Sequence, residues 1–172
     1  MLGPPNAPRI RLLADHPDLI AEVGALRWRE WGYADPDPGL WISVTAGEAG
    51  RDRLPVTLVA VGPDGDATGA VALGDADGEL NETERRGRSP WLLGLVVRAD
   101  ARRQGVGRLL VSALERLAAE RGHRRVWVAT GGEAVHFYQR CGWVEAESLV
   151  LAATSNTTTI LTRRLSALGG HC

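Results

Sequence analysis

The segment from Trp91 to Arg108, WLLGLVVRADARRQGVGR, constrains this chain more than any other. Trp91–Val97 is a near-continuous apolar run, the composition of a strand buried on both faces. An arginine-rich loop follows over Arg98–Gly105. Then Leu110, Ala113, Leu114, Leu117 and Ala118 recur at i, i+3, i+4, i+7 and i+8, one buried stripe of a helix. Gly122 caps that helix after Arg121. A helix that opens on glycines directly after a buried strand presents free backbone N–H groups and partial positive charge. That combination binds phosphate or pyrophosphate. Gly105 and Gly107 let the backbone approach an anion, and Arg102, Arg103 and Arg108 add charge around it. The competing reading of the same residues is a solvated, arginine-rich turn.

The elements on either side set the fold class. Arg9–Leu13 reads as a first strand. Asp15-His16-Pro17-Asp18 supplies capping residues for a helix through about Trp31. Gly32 to Gly50 reads as loop or short helix. Pro55–Val61 and Gly69–Leu73, joined by Pro63-Asp64-Gly65-Asp66, read as a hairpin. Gly74–Pro90 reads as a long surface loop. After the central segment come a strand at Val126–Ala129, a short helix over Glu133–Arg140, and strands at Ser148–Ala152 and Thr157–Thr162. The last five residues read as frayed. A strand-helix-strand crossover inside a mostly antiparallel sheet flanked by helices gives a mixed α/β (α+β) layer fold. The length of 172 residues fits one domain over 1–172.

Charge and composition exclude several functions. Net charge is −1, which argues against a nucleic-acid binder that works by broad phosphate neutralisation. All 20 basic residues are arginine, so a Schiff-base lysine and a lysine-bearing phosphate loop are both excluded. A Gly-x-Gly-x-x-Gly loop fails because Leu110 stands where the third glycine belongs. Cys141 and Cys172 form no metal spacing or disulfide framework, which points to a reducing cytoplasm. Met1–Pro5 lacks the basic start and apolar run of a signal peptide. Trp91–Val97, the longest apolar stretch, is too short to span a bilayer, so no membrane partner is expected. His16, His123 and His171 show no ligand spacing with cysteines or acids, and no metal is expected.

Arg102-x-x-Gly105-x-Gly107, after a Val97-x-x-Asp100 strand exit, resembles the acetyl-CoA loop of the GCN5-related N-acetyltransferases. A second element, Ala134-Val-His-Phe-Tyr138-Gln-Arg-Cys-Gly142-Trp143, resembles that family's Ala-x-x-Phe-Tyr-x-x-x-Gly-Phe segment. The resemblance covers Pro55–Trp143, and details of Leu54–Trp91 and Thr130–Tyr138 resemble a subgroup that includes the actin N-terminal acetyltransferase. It implies a GNAT-like acyltransferase fold with acetyl-CoA as co-substrate. Main-chain groups of Leu95 and Val97, at a bulge near the strand end, would pair with the pantetheine arm. Backbone N–H groups of Arg103, Gln104, Gly105, Val106, Gly107 and Arg108 would hold the pyrophosphate, beside Arg102. Where the family often has Asn, this chain has Gly131, so Thr130 is the candidate replacement for that pantetheine contact.

The implied chemistry is direct attack of an amine on the thioester in a ternary complex. Tyr138 is the candidate general acid for the departing thiolate; an interface aromatic with a satisfied hydroxyl is the alternative. A backbone N–H at the Val97 bulge is the candidate oxyanion donor. No base is evident, since Trp91–Val97 holds no acid. Asp75, Asp77, Glu79, Glu82 and Glu84 are candidates to border the acceptor site, or simply a solvated acidic loop. His136 faces away from Tyr138 on the same helix and reads as packing or surface. Trp28, Trp31, Tyr33 and Trp41 either shape the acceptor site or pack the core. The acceptor is a peptide or protein N-terminus, or a small amine such as an aminoglycoside or polyamine, acted on by a monomer or homodimer. The alternative function is a non-catalytic acyl-CoA-binding module.

Overall fold

The computed structural model describes residues 7–166. The amino-terminal reading of Met1–Pro5, the frayed tail, His171 and Cys172 lie outside the described residues. The chain divides into two compact units, Met1–Leu73 with Gly94–Leu114 and Gly74–Leu93 with Glu115–Cys172.

In the first unit, β1 (Arg9–Leu12) runs antiparallel to β2 (Val56–Val61), and β2 antiparallel to β3 (Ala67–Gly74). The β2–β3 hairpin turns at Gly65, whose φ of +85° is cheap only without a Cβ. Helix α1 spans Ile20–Trp31. Two 3₁₀ turns, Leu13–Asp15 and Pro17–Leu19, occupy the stretch where the Asp-His-Pro-Asp signal predicts its first turn. Helix α2 spans Gly39–Gly47, within the segment read as loop or short helix. Gly24 of α1 admits α2 closely: a Cβ there would lie 2.6 Å from Ile42 Cα. Leu13, Leu19, Val23, Leu26, Val59, Ala70 and Val96 form this unit's core. Strand β4 (Trp91–Val97) contributes its Gly94–Val97 half, and Arg98 N–H donates to Thr68 O at 2.8 Å. Helix α4 (Val106–Glu120) begins here; it buries Leu110 and Leu114 of the predicted stripe, and also Val106 and Val111, which that stripe does not include.

The second unit carries the Trp91–Leu93 half of β4, then β5 (Arg125–Thr130), helix α5 (Ala134–Arg140), β6 (Val144–Val150) and β7 (Thr157–Arg164). The strand order is β4-β5-β7-β6. β5 is parallel to β4 at Trp91↔Trp127 and antiparallel to β7, which pairs antiparallel with β6. The core gathers Leu80, Trp91, Leu151 and Ile160. Two expectations change. The 74–90 loop carries a short helix, α3 (Glu82–Arg85), opened by an Asn81–Glu84 capping box. β6 starts at Val144 rather than Ser148: buried Trp143, donating Nε1–H to Glu115 Oε1 at 2.9 Å, fixes the chain where the strand begins. Being an outer strand, β6 exposes most of its length, so its Val-Glu-Ala-Glu start lacks a buried-strand signature. The strands and flanking helices make the mixed, mostly antiparallel α/β class the sequence implies.

Candidate active site

The strand-loop-helix segment has the geometry of an anion cradle. After β4, a 3₁₀ turn at Ala99–Ala101 buries Ala101 and seats the loop. Arg103 and Gly105 both stand at positive φ, +61° and +80°. Residues of left-handed and right-handed conformation in succession are the backbone pattern from which anion-binding nests are built. The helical hydrogen-bond ladder opens with Leu109 N–H donating to Gly105 O at 3.0 Å. The N–H groups of Arg103 through Arg108 precede it, and among the described residues none has a backbone acceptor. A Cβ on Gly105 would meet nothing within 4 Å, so its glycine serves backbone conformation and leaves open space in front. The Arg103 and Arg108 side chains are exposed. Arg102 is committed elsewhere: its Nε donates to Val97 O at 3.1 Å, and Nη2 pairs with Glu30 Oε2 at 2.9 Å. It braces the loop against α1. Arg98 pairs with Asp100 at 2.6 Å, which holds the Asp100 carboxyl below its ordinary range, and Gln104 Nε2 donates to Asp100 O. Side-chain contacts of Arg98, Arg102 and Gln104 tie the loop to its surroundings, and the residues present fit a pyrophosphate.

Leu95 and Val97 are half-buried in β4. The irregularity of this strand lies at Gly94, at φ +56°, three residues before the Val97 position expected from the resemblance. Only glycine takes that conformation cheaply inside a strand, so the backbone turns where glycine is.

In the second unit Tyr138 is 4% exposed on α5. Its ring sits edge-on to Phe137 at 5.2 Å and tilted to Trp143 at 5.4 Å. Burial pushes the phenol well above its ordinary value, so it stays protonated. Gly142 at φ +91° leaves room for Arg163, which donates to its carbonyl at 2.8 Å and holds the end of α5. Thr130 is half-buried at the end of β5, opposite Thr159. A Cβ at Gly131 would meet only Thr157 O, at 3.6 Å. His136 is exposed, beside Gly132, Glu133 and Arg140.

The acidic candidates separate. Glu84 accepts from Ala152 N–H and Asn81 N–H, which holds its carboxyl low and makes it structural. Asp77 is raised by burial, the direction a base at neutral pH needs, although Glu79 N–H donates to it. Asp75 and Glu82 line a cavity of about 460 Å³ with Arg85, Gly87, Arg88 and Ser89. Among the aromatics, Trp28 and Trp41 donate to Asp35 at 3.2 and 2.7 Å, and Trp31 stacks on Trp41 at 6.1 Å. They join α1 to α2, whereas Tyr33 is 86% exposed. Among the described residues no three His, Cys, Asp or Glu side chains converge as a metal site, and no helix is long and apolar enough to cross a membrane.

A buried strand delivering a cradle of free N–H groups at a helix start, in a mixed mostly antiparallel sheet, defines the class: an acyl-CoA-type acyltransferase fold. The Acetyltransferase (GNAT) family model matches residues 20–143, and the chain belongs to that family; it is an acetyl-CoA-dependent N-acetyltransferase. Solved structures agree on the fold. An aminoglycoside 6'-N-acetyltransferase complexed with coenzyme A is 16% identical at a TM-score of 0.72, with 91% of this chain and 96% of that one covered. An aminoglycoside 6'-acetyltransferase type Ii is 20% identical at 0.70, with the same coverage. A GNAT-family acetyltransferase from Streptococcus pneumoniae is 19% identical at 0.64, covering 92% and 99%. No curated protein matches.

Proposed function

We propose that this chain transfers the acetyl group of acetyl-CoA to a primary amine, a peptide N-terminus or a small molecule, and that it acts as one catalytic domain. The observation that carries this reading is the Arg103–Arg108 run of unpaired N–H groups ahead of α4, in a chain of this family. The family segment, residues 20–143, draws on both units, which supports a single catalytic domain. Bound acetyl-CoA supplies an activated thioester. The chain's own residues do the rest. The N–H groups of Arg103 through Arg108 would hold the pyrophosphate, with Arg103 and Arg108 adding charge and Arg102 keeping the loop in place. Leu95 and Val97 would offer main-chain partners to the pantetheine, and Thr130 a hydroxyl. Tyr138 is our candidate general acid. Its phenol is protonated at neutral pH, the state a general acid starts from, while burial also makes it a weaker acid than a solvated tyrosine.

The test is CoA release from acetyl-CoA by the full chain against a panel of peptides, amino acids, polyamines and aminoglycosides. Amine-dependent release is the expected result. CoA binding without release across the panel would make the chain a non-catalytic acyl-CoA binder.

A further inference from the structure

Arg27 is a charged residue in an apolar place. It lies on α1, one turn after Gly24, and is 2% exposed. Close packing of α1 on α2 lets Nη1 donate to Thr45 Oγ1 at 3.2 Å and to Glu48 Oε1 at 2.9 Å. The other edge of the guanidinium has no such partners. Both Nε and Nη2 are buried and have none. Burial lowers the Arg27 pKa, opposed by Glu48. A buried donor without an acceptor costs free energy, more so on a charged group. Proteins seldom retain such a cost without a use for it.

The unpartnered edge faces Gly94 of β4. A Cβ there would lie 3.0 Å from Nη2 and 3.1 Å from Nε. Gly94 is the residue of this strand in the left-handed region, and the strand continues through Leu95 and Val97 into the N–H cradle. Every one of these residues belongs to the first unit.

We propose that the Nε–Nη2 edge of Arg27 is a carboxylate-binding subsite for the acceptor, so that the amine acetylated carries a carboxylate; this rests on the acetyltransferase reading above. The two N–H groups of that edge are parallel and coplanar, the arrangement that receives both oxygens of one carboxylate. Glu48 and Thr45 engage the far side, which fixes the plane of the fork and leaves this edge for an anion. Gly94 brings no side chain against this edge, where a Cβ would crowd both N–H groups. A polycationic acceptor would meet a like charge here, which disfavours the polyamine and aminoglycoside class.

The experiment compares acetylation of glycine, β-alanine, γ-aminobutyrate and the L-amino acids with that of their primary amides, and of a polyamine. With wild type, kcat/KM for the best carboxylate should exceed that for its amide by about tenfold or more, the scale of hydrogen bonds to a charged group. Arg27→Lys keeps the charge but loses the fork. It should erase most of that preference through the acceptor KM, leaving the KM for acetyl-CoA unchanged. Should Arg27→Lys not fold, Gly94→Ala gives a second test. It keeps the Arg27–Glu48 pair but puts a methyl against Nη2, and should reduce the preference likewise. Equal use of carboxylates and amides by wild type would mean that water satisfies this edge, and the proposal falls while acetyl transfer stands. If no amine releases CoA, the acetyl-transfer reading falls and binding decides this one. Amino carboxylates that raise the melting temperature of the CoA-loaded protein, where their amides do not, sustain it; no difference overturns it.

Discussion

Replacing Gly105 with Asp or with Asn separates the two things this glycine does. Its φ of +80° is a backbone demand, while the open space around a Cβ there makes no steric demand. Asn and Asp tolerate the left-handed region best among side-chain-bearing residues, so both variants should lose at most ~1 kcal/mol of stability. For a chain of this length that is a fall of about 3 °C in melting temperature. The two variants differ in one charge. A carboxylate about 5 Å from a pyrophosphate charge costs about 1–3 kcal/mol at the effective dielectric of a protein surface. The site is solvated, so the lower half of that range applies, roughly a five- to thirtyfold loss of CoA affinity for Asp relative to Asn. The assay is thermal shift with titrated CoA, checked by calorimetry. At ~100 times Kd, wild type should gain about 2.7 kcal/mol, or roughly 7 °C. The gap between Asp and Asn should narrow as salt screens the added charge. If Gly105→Asp binds CoA as tightly as Gly105→Asn, the cradle is only a turn and the pyrophosphate lies elsewhere.

Two further outcomes follow from the same geometry. Tyr138→Phe should lower kcat by ~10²-fold or more with little change in the KM for acetyl-CoA, since removing the oxygen keeps the ring contacts with Phe137 and Trp143; full kcat across pH 6–9 would make Tyr138 structural. The Glu147 carboxyl is held below its ordinary range by Arg88 and Arg86, and a depressed carboxyl stabilises above its unfolded value and loses that contribution as pH falls through the folded one. The melting temperature should therefore drop from about pH 5 downward, and Glu147→Gln should flatten that drop in a pH series.

The sequence by itself determined the elements whose signals are local. The apolar run of Trp91–Val97, the glycines at 105 and 107, and the stripe from Leu110 to Ala118 lie within one short stretch. Their period and turn chemistry fix a strand, a loop and a helix wherever the rest of the chain goes. The strand, the loop and the helix were legible for that reason. So was the Phe137-Tyr138 segment, whose residue types carry the family pattern at a fixed spacing.

Tertiary structure decided what depends on residues distant in sequence. β6 begins at Val144 because Trp143 is anchored on Glu115, 28 residues earlier, and no local pattern encodes that bond. Arg102 reads as a free charge beside an anion until α1 places Glu30 against it. Glu84 reads as a solvated acid until the Ala152 N–H binds it. Arg27 shows this most sharply. In the sequence it is one more arginine on an amphipathic helix, where a surface position is the ordinary expectation. Its burial, its pairing with Glu48 from α2 and its bare edge against Gly94 arise only when two helices and a strand, far apart in the chain, close around it. Secondary structure follows from short-range periodicity, whereas the state of a charge depends on which distant groups the fold brings within hydrogen-bonding distance.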